Sequence, residues 1–157
     1  MGAGSWESYH AITSLMFRYA ACVDAADFPG IAALFTHGRI TNEGVDGAIV
    51  GADAVRRLYE ETNRVHDDGT TRTRHLNTNI VVDVDESAGS ANVRSSFVVF
   101  QQTPNLALQP IVSGRYADDF VRDRGEWRFD CRHIIVDHIG DVREHLTFDL
   151  TSFFEEP

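Results

Sequence analysis

Between Arg72 and Asp137 the chain is built from long alternating stretches, and these restrict the fold more than any other feature. Arg72–Val84 and Ala91–Thr103 are joined by Asp85-Glu86-Ser87-Ala88-Gly89, which has hairpin-loop chemistry. Pro104 to Pro110 separates the second stretch from Ile111–Arg122. Asp123-Arg124-Gly125-Glu126 is a tight turn into Trp127–Asp137. Four long consecutive strands with short connections make an antiparallel meander. Strands of eleven to thirteen residues coil strongly, so the sheet has a concave side that something must fill.

The filler lies upstream. Ile12, Leu15, Met16, Tyr19, Cys22, Val23 and Ala26 recur at three- and four-residue spacing, which predicts a helix from about Ser5 to Ala26 with one core-facing stripe. A short second helix is expected from Pro29, a favoured first-turn residue, to Phe35. A short strand at Arg39–Asn42 leads into a Gly-rich loop, Glu43 to Gly51. A third helix spans about Ala52 to Val65, with Ala54, Val55, Leu58 and Tyr59 inward. Helices first and strands afterwards define an α+β domain rather than alternating βαβ units. The 157 residues are enough for one core. We expect a single domain over residues 5–145, a strongly curved antiparallel sheet wrapped into a cone around the N-terminal helix, with three helices in total. Residues 146–157 form a tail whose Phe148, Leu150, Phe153 and Phe154 are apolar enough to pack on a neighbour or on the chain's own sheet.

Composition removes several functions. A formal charge of −10 with scattered basic residues disfavours phosphate backbones and anionic membranes, so neither nucleic acid nor membrane is an expected partner. All 14 basic residues are Arg, so lysine Schiff bases and lysine general bases are excluded. Cys22 and Cys131 lie in apolar segments without CxxC spacing, as buried free thiols of a reducing compartment would. Met1 to Glu7 has no basic or apolar leader character, and a cytoplasmic location is expected. The seven His residues form no HxH, HxxxH or HExxH pair, so no metal is expected. GxGxxG, GxxxxGK[ST] and GxSxG are all missing, so no nucleotide cofactor or serine-hydrolase elbow is expected either.

Asp24 stands out among the candidates for chemistry. It falls beside Phe17, Ala20 and Ala21 on a second apolar side of the first helix. A carboxylate held there would be partly desolvated, with a raised pKa and greater strength as a base. Alternatively it is a solvated residue of the last turn, or the cap of the helix beginning near Pro29. Alternation places Thr73, His75, Asn77, Asn79 and Val81 on one face of a strand, either a pocket wall or a solvent-facing row. Tyr19 is a proton donor or a core residue with one satisfied hydroxyl. Arg132 and His133 point to opposite faces, so one of them can enter the interior. Arg18, Arg115 and Tyr116 are further candidates for binding an anionic or carbonyl group.

The run Ala11–Asp24, Asp27–Phe35 and Gly51–Val55 resembles the opening of SnoaL-like domains, and Thr73–Asn79 with Gly125–Phe129 continues the likeness. These belong to the nuclear transport factor 2-like superfamily, whose fold is a cone of curved antiparallel sheet closed by three helices. The resemblance extends to bile-acid 7α-dehydratases, scytalone dehydratases and hexachlorocyclohexane dehydrochlorinases. It implies a cofactor-independent lyase in which a His, oriented by an Asp of the first helix, removes a proton beside the leaving group. Asp24, His75 and Tyr19 then take the catalytic positions, and Arg132, Asn77 and Tyr116 the substrate-binding ones. The dehydrochlorinase has a lysine where this chain has Tyr19. The implied substrate is small, hydrophobic and cyclic, and the implied assembly a homodimer or homotrimer. Other members imply an isomerase using the same pocket, or a non-catalytic protein akin to dioxygenase small subunits.

Overall fold

The computed structural model describes residues 4–153. Its helices are α1 (Trp6–Asp24), α2 (Phe28–Leu34) and α3 (Ala52–Thr62). Ser5 caps α1 by accepting the Ser8 N–H at 3.1 Å. Asp27, not Asp24, caps α2, accepting the Gly30 N–H at 2.9 Å, which frees Asp24 for another use. The strands are β1 (Arg39–Asn42), β2 (Val45–Val50), β3 (Thr73–Asp85), β4 (Ser90–Thr103), β5 (Leu106–Asp123) and β6 (Glu126–Ile139). They form one sheet in the order β2-β1-β6-β5-β4-β3. β1 runs parallel to β6 and the other neighbours are antiparallel, so the sheet is mixed and open.

Two expected loops are strands. Glu43 to Gly51 holds β2, because Glu43-Gly44, with Gly44 at φ 75°, turns the chain tightly enough to pair Asn42 with Val45. Pro104-Asn105 likewise completes a turn alone, with Thr103 opposite Leu106, so β5 begins before Ile111. Pro110 falls within β5 next to a register irregularity, where a missing N–H is tolerated.

α1 fills the concave side. Ile12, Met16, Tyr19 and Val23 are buried against Val93, Phe97, Val99, Ile111, Tyr116, Phe120 and Phe129 of the sheet. Two irregularities decide which side chains enter. In β3 an extra residue between Thr78 and Val81, with Asn79 at φ 52°, reverses the alternation. Thr73, His75 and Asn77 therefore turn inward, but Asn79 and Val81 do not share their face. Ile80, Val82 and Val84 take the inward positions instead. In β6 the register skips Asp130, so Phe129 and Arg132 both point inward. His133 takes the other face, where its Nε2 meets Glu43 at 2.8 Å.

The segment after β6 returns to α3. Asn63 and Leu146 form a bridge, and the Thr147 N–H donates to the Thr62 carbonyl at 3.0 Å. Phe148, Leu150 and Phe153 line an apolar groove of about 480 Å³ together with Ile40, Leu58 and Ile134, and Phe148 and Phe153 stay exposed. Phe154 lies outside the described residues. Cys22 and Cys131 are both free thiols, the first half-buried and the second buried.

Gly114 allows β5 and β6 to close over Phe97. A Cβ there would collide with the Ile135 carbonyl oxygen and approach the Phe97 ring to 2.9 Å. Gly114→Ala should lower stability by about 1–3 kcal/mol, the usual cost of overpacking, in chemical denaturation. An unchanged midpoint would show that the sheet relaxes there.

Candidate active site

Asp24 is the last residue of α1, and β3 begins beside it. Its Oδ1 accepts from the Thr73 hydroxyl at 2.7 Å and lies 2.6 Å from His75 Nδ1. The His75 backbone N–H donates to both carboxylate oxygens, at 3.2 and 3.0 Å. Thr71 secures the junction by donating to the Val23 carbonyl at 3.0 Å. The side chains of Asp24 and His75 are 14% and 10% exposed.

Burial pushes the Asp24 carboxyl up, but the ring and backbone of His75, followed by Thr73, outweigh it, and the net direction is down. The expected rise does not occur, because the desolvated carboxylate gains more from three donors than it loses in hydration. Asp24 is therefore an ionised acceptor. It fixes the proton on His75 Nδ1 and leaves a lone pair on Nε2. Such a pair can remove a proton at Nε2 and stabilise the imidazolium that results.

Tyr19, Tyr116 and Arg132 form a second cluster. The Arg132 Nε and Nη2 donate to Asp118 Oδ1 and Oδ2 at 3.0 and 2.7 Å, and both side chains are completely buried. The guanidinium lies 4.2 Å from the Tyr19 ring centre and 3.9 Å from that of Tyr116, and Tyr116 stacks on Phe97 at 4.5 Å. The Tyr19 hydroxyl is hydrogen-bonded to that of Tyr59. Burial raises the pKa of both phenols, so each keeps its proton. Asn77 is half-buried, two residues beyond His75 on the same face and opposite Phe97 on β4.

Asp118, Tyr59 and His145 belong to these surroundings but were not among the candidates. Asp118 had a signal, since alternation puts it on the face of Tyr116. His145 had none, because it follows the last strand. It is 5% exposed, with its ring centre 6.0 Å from that of His75 at an interplanar angle of 67°. Burial first, and then the proximity of His75, lower its pKa to about 3. A separate groove of about 540 Å³ opens along Asp24, Thr73, Arg72 and Arg74, and His75 is not in its lining. Among the described residues no cluster of His, Cys, Asp and Glu is placed to hold a metal, and no helix is long and apolar enough to cross a membrane.

Residues 5–133 match the SnoaL-like domain. A variant of Rv3472, a protein of unknown function from Mycobacterium tuberculosis, is 27% identical. That match covers 85% of this chain and 74% of that one, with a TM-score of 0.69. A proposed scytalone dehydratase from Novosphingobium aromaticivorans is 26% identical over 86% of this chain and 87% of its own, with a TM-score of 0.68. The fold is shared with the beta subunit of a proposed aromatic-ring-hydroxylating dioxygenase from the same organism, at 22% identity, 85% and 91% coverage and a TM-score of 0.65. No curated protein matches in sequence.

Two measurements probe this electrostatic layout. Asp118→Ala strands the Arg132 charge and should cost about 3–5 kcal/mol, most of which Asp118→Ala with Arg132→Leu should restore. Equal stability of the two variants would mean that the pair is not electrostatically closed. The second concerns His145. The unfolded chain takes up a proton on this ring below its ordinary value of 6.5, whereas the folded ring stays neutral down to about 3. Its contribution is complete above pH 6.5 and is lost as pH falls towards 3, by up to about 1.4 kcal/mol per pH unit. His145→Gln should flatten the acid limb of stability against pH by that much, and an unaltered limb would contradict the assignment.

Proposed function

The chain belongs to the SnoaL-like domain family, and on that premise we propose that it is a cofactor-independent lyase of the dehydratase type. The observation that carries this is the 2.6 Å contact between Asp24 Oδ1 and His75 Nδ1 at a helix–strand junction where both side chains are largely buried. His75 Nε2 takes a proton from a carbon adjacent to the one bearing a hydroxyl. The electron pair of that C–H bond forms the double bond, and the C–O bond breaks. Asp24 stabilises the imidazolium, and Tyr19, which keeps its proton, is assigned to the departing hydroxyl. Proton and hydroxide leave together as water, so no co-reactant is consumed. The aromatic interior and the likeness to the proposed scytalone dehydratase support a hydrophobic cyclic substrate.

One observation favours a non-catalytic role instead. Arg132 is paired with Asp118 through Nε and Nη2 between two tyrosine rings, so part of the interior is filled by the chain's own side chains. Turnover separates the two. With a panel of cyclic hydroxy-ketones, the wild type should eliminate water from at least one member. His75→Ala should lower that rate by about 10²–10⁴. Asp24→Asn should also lower it, since an amide neither holds the Nδ1 proton as firmly nor balances the imidazolium. Equal turnover in wild type and His75→Ala would remove the lyase proposal.

A further inference from the structure

His145 is a chemical group without an assigned task, placed beside the proposed base. It sits on a turn, its N–H donating to the Val142 carbonyl at 3.0 Å, in the segment that crosses from β6 back to α3. That segment is fastened on both sides of the ring. The Arg64 N–H donates to the His145 carbonyl at 2.7 Å. Gln101 Nε2 donates to the Glu144 carbonyl at 3.0 Å, and His66 Nε2 lies 2.8 Å from the same oxygen. The backbone that carries the imidazole is thus fixed, and the ring lies buried and edge-on to His75. Yet its Nδ1 is buried and has no hydrogen-bond partner among the described residues. Leaving a buried ring nitrogen unpaired costs stability, and a chain with no use for it would gain by an apolar residue.

We propose that His145 is a further substrate-binding residue of the dyad's site, donating a hydrogen bond to an uncharged oxygen of the substrate beside the carbon that His75 deprotonates. This rests on the lyase reading for the identity of the site. It narrows the substrate to a neutral, oxygen-bearing molecule with an apolar body. The charges nearby agree. Asp24 is an ionised carboxylate next to His75, and the buried Arg132 charge is matched by Asp118, so Asp24 repels a substrate carboxylate or phosphate and Arg132 is not free to attract one. A neutral imidazole also suits its neighbour, since a second positive ring would oppose the imidazolium formed on His75.

The test uses binding, with 1-tetralone as the oxygen-bearing probe and tetralin as the same ring system without the oxygen. Wild type should bind tetralone about three- to tenfold more tightly than tetralin, the worth of one neutral hydrogen bond. Tetralone, and not tetralin, should shift the His145 ring nitrogen resonances. His145→Leu should bind both probes equally, with tetralin affinity unchanged, while His145→Asn, whose amide can donate from near the Nδ1 position, should keep the preference. If His145→Leu does not fold, the nitrogen shifts in wild type decide. Equal binding of the two probes by wild type, a preference that survives in His145→Leu, or unmoved His145 resonances would each overturn the proposal. Oxygen-selective binding through His145 without turnover of any hydroxy-ketone would leave it standing while the lyase reading falls. Turnover dependent on His75 but unaffected by His145→Leu would do the reverse.

Discussion

The junction between the end of α1 and the start of β3 holds this molecule in its working shape. β3 is the last strand of the sheet, hydrogen-bonded to β4 on one side only, so its other edge presents backbone donors without a strand to receive them. Asp24 covers that edge. One carboxylate accepts the His75 N–H, the Thr73 hydroxyl and the His75 ring, while Thr71 ties the preceding helix carbonyl to the same point. The contact that orients an imidazole thus also caps an open sheet edge and anchors the central helix. A chain that kept the cone but lost this carboxylate would lose both.

Much of the architecture was legible because its signals are periodic. Three- and four-residue spacing gave α1 with an end error of two residues or fewer, and alternation gave the four-stranded meander. What periodicity hides is its own interruption. Asn79 and Asp130 each mark a place where one strand carries an extra residue, and a single such residue exchanges inside for outside along the rest of the strand. Neither has a sequence mark that separates it from an ordinary strand residue. Asn79 was consequently placed beside His75 when it faces outward. Glu43–Gly51 and Pro104–Pro110 erred in the other direction, since glycine and proline read as loop when each run needed only a two-residue turn.

The dyad was visible less from residue patterns than from likeness to SnoaL-like domains. Taken alone, Asp24 was compatible with a solvated last turn. The sign of its pKa shift depends on donors from β3, more than forty residues away, which no local pattern can count. Burial by itself would have made the group a stronger base, whereas burial among donors makes it a fixed anion. Asp118 is a parallel case. Alternation puts it inside with Tyr116, but its role depends on Arg132 reaching the same face through an irregularity in β6.

Together these placements divide the interior electrostatically. On one side a complete ion pair is enclosed by aromatic rings, its charges cancelling within one bidentate contact. On the other a lone carboxylate faces an imidazole, and the next titratable ring inward, His145, is kept neutral by burial. In the proposed elimination, a positive charge on His75 would therefore find a partner in Asp24 and little competition from Arg132 or His145. An imidazolium is costly in a desolvated interior unless the surrounding field has been arranged for it in advance. For the proposed step that arrangement would be made by the cancelled ion pair as much as by Asp24, because an unbalanced Arg132 would raise the cost of the charge that proton removal would create.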